Sequence, residues 1–403
     1  MSSEGRNDLL LTGVPEGLDA LVLADLVREP GVGEGANTLV HVARDDRRME
    51  AVRQQLAFFA GNVRVIAFPA WDTVPYDRVG PNADIVAERM ATLAKLVVAA
   101  RKQPTIVLTT VNAILQRVPP SGFIRKTMKQ IAPGQRIDMK RLTERLQQIG
   151  YQRTGTVMEP GEFAVRGGIL DLFSPGRSSP VRLDFFGDTL ESIRTFDPAS
   201  QRTIGQARSL DLNPMSEVTL TPESISRFRK NYLSLFGAAT RDDALYAAVS
   251  EGRRYAGMEH WLPLFHDHLD TVFDYLKGFR IVTDHTIREA AEERAKLVRD
   301  YYEARLNSGN PGKGHLSQGT PYKPVPPERL YLGAGEFGRL LDEHAPLRLT
   351  PFAEHDGEVR KVIELAARPT PRWAKTATET GEGNTRTNVF DQAVKYIADQ
   401  RAG

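Results

Sequence analysis

The chain contains no cysteine among its 403 residues. Disulfide bonds, thiolate zinc sites and cysteine nucleophiles are therefore excluded together, and the composition suits a reducing compartment. Long hydrophobic runs are missing too, since no stretch approaches the roughly 20 apolar residues that span a bilayer. The first residues also lack the pattern of a secretory signal peptide. We therefore expect a cytoplasmic protein without a membrane segment.

An excess of charge of one sign is also lacking. The 53 basic and 51 acidic side chains leave a formal net charge of +2. This balance gives no general attraction to nucleic acid, so a contact with DNA would need a local basic patch. Hydrophobic residues make up 41% of the chain, as in ordinary globular proteins. A chain of this length is expected to form about two to four domains.

The order of segments predicts an α/β fold. Strand-like runs at 9–14, 38–43, 63–68 and 105–110 alternate with helix-like segments at 17–28, 44–60 and 82–101. Such alternation is typical of parallel strands joined by crossover helices. After residue 120, period-two patterns broken by Gly, Pro and Ser replace it, and one amphipathic helix is predicted near 139–149. This change of pattern indicates a small inserted α+β domain.

These patterns divide the chain into five parts. Residues 1–119 and 211–350 are predicted to form the two pieces of one α/β domain, and residues 120–210 the insert. Residues 351–387 lead into a polar, threonine-rich linker. Residues 388–403 begin a helix that cannot bury its apolar face alone. We therefore expect a fragment of a longer protein.

A phosphate loop is not found where an α/β domain would carry one. The first loop, "TGVPEGLDAL", keeps Gly13 and Gly17 but offers neither a lysine nor a hydroxyl for phosphates and magnesium, and Asp19 would repel a phosphate. The pair Gly312-Lys313 lacks the required spacing and is interpreted as a surface loop. We expect no ATP hydrolysis and no cofactor in this chain.

Two clusters admit both a functional and a structural interpretation. The histidines of "GMEHWLPLFHDHL" could surround a metal, but the spacing is unlike that of known zinc motifs, and the apolar neighbours favour a packed segment. These histidines are His260, His266 and His268. Trp71, Tyr76 and Arg78 could stack on nucleic-acid bases. Nearby aspartates would repel a phosphate backbone and so favour a structural role. In that interpretation the three side chains hold their loop against its own domain.

The strand-like segment "VRLDFF" exposes one large aromatic residue. Its alternation places Val181, Leu183 and Phe185 on one face, and Arg182, Asp184 and Phe186 on the other. The first face is predicted to be a core, and Gly187-Asp188 a tight hairpin turn. On the second, polar face, Phe186 is either an anchor for a partner protein or packs against another part of the chain.

Four long motifs resemble the family of bacterial transcription-repair coupling factors (Mfd). They are "FPAWDTVPYDRVGPNADIVAERMATLAKL", "GYQRTGTVMEPGEFAVRGGILDLFSPG", "VRLDFFGDTLESIRTFDPASQRT" and "GMEHWLPLF". In that family the amino-terminal region is similar to the repair subunit UvrB. The resemblance implies a degenerate P-loop-NTPase-like, RecA/UvrB-like doubly wound domain in two pieces with an inserted α+β domain.

The resemblance also implies a function. The chain would be a non-catalytic module that recruits UvrA to stalled RNA polymerase for nucleotide excision repair. Matching the motifs places the docking residues at Arg166, Arg182 and Phe186, with Arg177 on a looser alignment. The alternative is a catalytic, UvrB-like ATP-dependent DNA-binding or helicase subunit.

The remaining parts of the family would lie beyond Gly403. They are the motor that uses ATP and magnesium, the contacts to RNA polymerase and duplex DNA, and a carboxy-terminal domain that masks the UvrA-docking surface. For the chain itself the resemblance implies no membrane contact and a location in the bacterial cytoplasm. We expect it to be a monomer.

Overall fold

The computed structural model describes residues 9–29, 37–98, 103–240, 242–308, 322–352, 361–365, 367 and 394–399. The first elements are β1 (Leu9–Thr12), α1 (Leu18–Arg28), β2 (Thr38–Ala43), α2 (Asp46–Phe59), β3 (Arg64–Phe68), α3 (Ala83–Val97), β4 (Thr105–Thr110), α4 (Val111–Ile114) and α5 (Ser121–Thr127). Next come β5 (Lys129–Ile131), α6 (Met139–Gln148), β6 (Gln152–Arg153), β7 (Glu162–Arg166), β8 (Ile169–Leu172), β9 (Val181–Phe186), β10 (Thr189–Phe196), β11 (Thr203–Gln206) and β12 (Leu210–Leu212). The last are α7 (Pro222–Phe236), α8 (Ala244–Ser250), a 3₁₀ helix (Met258–Leu264), α9 (Val272–Tyr275), β13 (Arg280–Thr283), α10 (Ile287–Ser308), α11 (Pro327–Leu330), α12 (Ala334–Glu343), β14 (Leu347–Leu349) and β15 (Lys361–Glu364).

A seven-stranded sheet organises the larger part of the protein. Its strands lie in the order β15-β1-β14-β13-β2-β4-β3, and every neighbouring pair is parallel. Strands β13 and β14, which follow the insert in the chain, thus lie between β1 and β2. The prediction of an α/β fold with parallel strands is confirmed, whereas the specific likeness to P-loop NTPases stays a prediction.

Helices cover both faces of this sheet. Helices α1 and α2 bury Leu23 and Val52 against one face, and helices α3 and α12 bury Met90 and Phe337 against the other. Strands β2 and β4 are buried along their whole length because both of their faces are covered. Their continuous apolar runs follow from this double burial.

The insert is a second, smaller α+β unit. Its six strands lie in the order β11-β10-β9-β8-β7-β6, and all neighbouring pairs are antiparallel except β6 and β7. Helix α6 covers one face and buries Leu142 and Leu146 there. Strands β5 and β12 pair at the point where the chain enters and leaves the insert. The predicted helix and strands of this region are therefore present.

A fully buried ion pair joins the chain that leaves the insert to helix α3. Arg89 Nε lies 2.6 Å from Glu217 Oε1, and both side chains are 0% exposed. Arg89 also donates to the carbonyl of Pro69 at 2.7 Å and lies over the Phe68 ring. The indole of Trp71 donates to the same Glu217 oxygen. The pair is therefore held by further hydrogen bonds and ring contacts.

The aromatic loop after β3 and the histidine segment are both packed. Trp71 and Tyr76 are buried, and the Trp71 ring contacts His260 edge to face at 5.5 Å between centroids. Burial lowers the pKa of His260 and of His266 to about 4 each, so both rings are neutral at pH 7. The interpretation as packing groups is confirmed for these four residues, whereas the side chain of His268 is 70% exposed. Gly312 and Lys313 lie outside the described residues.

We predict that Glu217→Ala lowers the free energy of unfolding by about 3–5 kcal/mol, because it leaves the Arg89 guanidinium buried without its carboxylate. The measurement is chemical denaturation followed by circular dichroism. The matched double variant Arg89→Met/Glu217→Leu removes both charges and should recover most of the loss. A single variant as stable as the parent protein would contradict this account.

Candidate partner-binding surface

The outer face of the insert sheet carries most of the predicted site residues. Helix α6 packs on the opposite face with Leu170, Leu183 and Ile193. Between β7 and β10 the registers place Arg166 beside Ile169, Ile169 beside Asp184, and Asp171 beside Arg182. The side chains at these positions, Arg166, Ile169, Asp171, Arg182 and Asp184, lie on one largely polar surface, which we call the ladder face.

Phe186 ends strand β9 on this face and is 77% exposed. It pairs with Thr189 across the β9–β10 hairpin, where Gly187 has a φ of +57°. Glycine reaches this left-handed conformation without steric cost, so the two-residue turn is tight and fixes the direction of the strand. The predicted hairpin and the exposed orientation of Phe186 are confirmed. Phe185 points to the core side and is half-buried there.

Arg182 is held inside the ladder face by its neighbours. Its guanidinium donates two hydrogen bonds to the buried Asp171 carboxylate, at 2.7 and 2.8 Å, and lies over the Phe196 ring at 4.8 Å. Only 16% of its side chain is exposed. The Asp171 hydrogen bonds raise the pKa of Arg182, so this guanidinium stays charged. A bidentate arginine of this kind is a rigid part of the surface.

Arg166 is more available than Arg182. It lies at the end of β7, and 52% of its side chain is exposed. Its Nη2 stands 3.7 Å from Asp171 Oδ2, which is an ionic contact beyond hydrogen-bond distance. Since Asp171 already accepts two hydrogen bonds from Arg182, Arg166 can turn toward an acidic partner at small cost.

A second ion pair completes the ladder face. Arg194 donates to Asp184 with two hydrogen bonds of 2.6 and 2.8 Å, and the Ser192 hydroxyl donates to the same carboxylate. Burial acts to raise the pKa of Asp184, but these hydrogen bonds and the arginine charges hold it below its usual range. Glu191 is the extra residue of a bulge in β10, which lets Leu190 and Ile193 both face the core.

Arg177 does not join the other three predicted residues. It lies in the loop between β8 and β9, at the opposite end of these strands from Phe186. There it lines a cleft against helix α3. Its assignment to the UvrA-docking surface stays a prediction, but the structure separates it from Arg166, Arg182 and Phe186.

Sequence reasoning placed Asp184 on the outer face but missed two other charged members of the ladder face. They are Asp171 and Arg194. The signal was present in "ILDL", where a carboxylate stands in the middle of an apolar strand. A buried charge of this kind requires a partner, but the identity of the partner depends on strand register.

The amino-terminal end of α1 is occupied by a side chain of the protein itself. Asp19 accepts hydrogen bonds from the main-chain N–H groups of Gly17 and Ala20 at 3.0 and 2.8 Å. Its other oxygen contacts Arg48, and both side chains are buried. A phosphate at a helix amino terminus uses the same N–H groups, so the Asp19 carboxylate stands where a nucleotide phosphate would bind.

The ion pairs continue along the carboxyl ends of β2 and β13. Asp284 Oδ1 lies 3.4 Å from His41 Nε2, and Asp284 Oδ2 lies 3.7 Å from Arg48 Nε. Burial acts to raise the pKa of Asp284, but His41, Arg48 and the amide of Arg44 together hold it below its usual range. Buried charges of the protein therefore fill this edge of the sheet.

Within the part of the chain that the structure describes, no group of three or more His, Asp or Glu side chains is arranged to hold a metal ion. None of the helices in the same part is long and apolar enough to cross a membrane.

Comparison with known families identifies the insert. Residues 130–218 match the family of the UvrB interaction domain. This range begins in β5 and ends just after the buried Glu217, so it covers the six-stranded sheet and the ladder face. The chain is thus a protein with a UvrB-type interaction domain inserted into a parallel α/β domain.

Most of the chain is similar to proteins called transcription-repair-coupling factors. The one from Myxococcus xanthus is 41% identical over 254 residues, which are 60% of this chain and 21% of the relative. The one from Haemophilus influenzae is 30% identical over 363 residues, 89% of this chain and 30% of the relative. The Escherichia coli relative is 33% identical over 260 residues, 64% and 22% of the two chains.

These matches confirm the family resemblance. The chain is a homologue of the amino-terminal, UvrB-like region of the bacterial transcription-repair coupling factors. It spans about a quarter of the length of the curated relatives that it matches.

We predict opposite effects for the neighbouring phenylalanines. Phe186→Ala should change the free energy of unfolding by less than about 0.5 kcal/mol, because the ring is exposed. Phe185→Ala should cost about 2 kcal/mol, which is below the roughly 3–5 kcal/mol of a fully buried ring. Urea denaturation of the two variants measures both values. A larger loss for Phe186→Ala would mean that its ring packs against the chain.

Proposed function

We propose that the chain is a UvrA-binding module and that UvrA docks on the ladder face around Phe186. The observation that carries this proposal is the 77% exposure of Phe186 on a rigid hairpin beside charged neighbours. A large exposed ring next to arginines has the composition of an interface anchor. The presence of a UvrB interaction domain supports the choice of UvrA as the partner.

The three residues of the surface have different roles in this proposal. Phe186 enters an apolar pocket of the partner. Arg166 pairs with a carboxylate of the partner, because its side chain is half exposed and its own contact with Asp171 is long. Arg182 balances the negative charge of Asp171, and the two hydrogen bonds between them hold its guanidinium in place. It therefore sets the charge of the surface.

The name of the relatives, transcription-repair-coupling factor, supports a wider role that we also propose. The module brings UvrA to stalled RNA polymerase, while the motor, the polymerase contact and the DNA contact belong to the rest of the parent protein. A carboxy-terminal domain of the parent covers the ladder face until the motor engages, since an exposed Phe186 is a liability in a free protein. The module acts in the bacterial cytoplasm.

We predict that Phe186→Ala weakens UvrA binding about 30-fold, the loss typical of a truncated hot-spot ring. Arg166→Glu should weaken it further than Arg166→Ala, because reversal adds repulsion to the lost ion pair. Isothermal titration of purified UvrA with this chain measures each affinity.

Two controls decide the interpretation of the UvrA titration. Phe58→Ala removes another exposed phenylalanine, 83% exposed on helix α2, and should leave the affinity unchanged. Arg202→Ala removes an exposed arginine of the insert and should also leave the affinity for UvrA unchanged. Equal affinity for the Phe186→Ala variant and the parent protein would overturn the proposed docking site.

The alternative function is that of a UvrB-like ATP-dependent subunit. The geometry of α1 speaks against it, because Asp19 accepts the helix N–H groups and pairs with Arg48. A nucleotide phosphate would have to displace a carboxylate that is buried with its partner. We therefore propose that the chain does not catalyse ATP hydrolysis.

We predict no release of phosphate from magnesium-ATP above the buffer rate. Asp19→Ala should not create activity, because the loop still lacks a lysine for the outer phosphates. A coupled phosphate-release assay on the parent protein and on this variant provides the test. Turnover that persists through further purification and disappears in Arg48→Ala would contradict the proposal.

A further inference from the structure

A cleft lies between the insert and the parallel sheet, away from both the ladder face and α1. It has a volume of about 540 Å³ and is bordered by the amino ends of β3 and β4, by helix α3 and by the Pro175–Arg177 turn of the insert. Ile66, Ala94 and Met128 supply apolar surface. Volumes of this size are typical of small-molecule sites.

The charges that line the cleft are mostly positive. Three cationic side chains line it: Arg64, Lys95 and Arg177. Asp211 is the one acidic side chain among its lining residues, and it already accepts a hydrogen bond from Gln130 at 2.9 Å. The cleft therefore has an excess of positive charge although the whole chain is nearly neutral.

The two arginines are not neutralised within the described part of the chain. Neither Arg64 nor Arg177 makes an ion pair there, and Arg177 Nε is buried without a hydrogen-bond acceptor among those residues. A buried guanidinium N–H without an acceptor is costly. An anion in the cleft would supply the acceptor.

Lys95 is the third cation among the described residues that line the cleft. Burial is the main cause that lowers the pKa of Lys95, and the nearby charge of Arg64 lowers it further. Glu88 acts in the opposite direction. Arg64 and Lys95 are thus close enough to repel each other. A bound anion would turn this repulsion into attraction.

Gly176 brings the insert turn close to helix α3. Its φ is +79°, and a Cβ at this position would lie 2.8 Å from Ala91 Cβ and 3.5 Å from Lys95 Nζ. Any larger residue would push the turn away from the helix. The glycine thus keeps Arg177 beside the cations of the sheet domain.

From this geometry we infer that the cleft binds the phosphate group of a small ligand. Guanidinium groups suit a phosphate because they offer planar pairs of N–H donors, and a lysine adds a point charge. A concave cleft between two units favours a small phosphate over the long backbone of duplex DNA, which needs an extended basic surface. Because its cations come from both units, the bound phosphate holds the insert against the sheet domain.

The test uses inorganic pyrophosphate as the probe, at constant ionic strength in a phosphate-free buffer. Calorimetric titration should detect binding to the parent protein. Arg64→Gln and Arg177→Gln should each weaken this binding about tenfold, as expected for the loss of one charge-assisted hydrogen bond. Arg202→Ala is the control and should bind pyrophosphate as the parent protein does.

Thermal melting without pyrophosphate separates a binding role from a structural one. Both glutamine variants should melt no lower than the parent protein. Arg64→Gln relieves the repulsion with Lys95, and Arg177→Gln removes a buried N–H that has no acceptor among the described residues. Lower melting temperatures for both would show that the arginines are structural and would overturn the inference. An equal response of all variants to pyrophosphate would overturn it as well, by showing a general ionic effect.

A last titration distinguishes a small phosphate ligand from the phosphate backbone of duplex DNA. A 20-base-pair duplex, a length chosen at about two helical turns, is titrated under the same conditions. Weak duplex binding that is insensitive to Arg64→Gln and Arg177→Gln supports a small ligand. Duplex binding that needs both arginines, with no pyrophosphate binding, would overturn the assignment to a small phosphate. Neither outcome alters the UvrA titration, which probes a different surface.

Discussion

The buried pair between Arg89 and Glu217 is the interaction on which the arrangement of the two units depends. It joins helix α3 to the chain that leaves the insert, and the two residues are 128 positions apart. Two charges without exposure to water are tolerable only when each is paired and hydrogen-bonded. Arg89 meets Glu217, Pro69 and the Phe68 ring, while Glu217 also accepts from Trp71. Any other docking of the insert would leave one charge unmatched.

The pairing of charges also shapes the ladder face, but there the pairs support an exposed surface. Asp171 and Asp184 are each matched by a bidentate arginine from the next strand. These pairs make the sheet surface rigid and leave Phe186 and half of Arg166 exposed. A partner protein that docks there meets a surface already in its binding conformation, which reduces the entropic cost of association.

A third set of paired charges lies at one edge of the parallel sheet. The parallel sheet and the helix after β1 provide the usual scaffold for a phosphate site. Asp19, Arg48 and Asp284 occupy that edge with mutual contacts. The fold is compatible with nucleotide chemistry, and we propose that the side chains on it set a different function. The cleft shows the reverse situation, because Arg64 and Arg177 have no matching carboxylate among the described residues.

The sequence by itself determined the local features. Alternation in "VRLDFF" placed Leu183 in the core and Phe186 outside, and Gly187-Asp188 marked the hairpin. These features follow from backbone geometry within a few residues, which any strand of this pattern obeys. The alternating strands and helices before residue 110 predicted the parallel sheet for the same reason.

The tertiary structure alone decided which side chains meet. The order of the seven strands, with β13 and β14 between β1 and β2, could not be read from periodicity. The pairing of Arg182 with Asp171 depends on the register of β8 against β9, and the separation of Arg177 from Phe186 depends on the direction of those strands. Periodicity fixes the face of a residue, but register and docking fix its neighbours. The proposed function of this surface therefore rests on contacts that arise only when distant segments of the chain fold together.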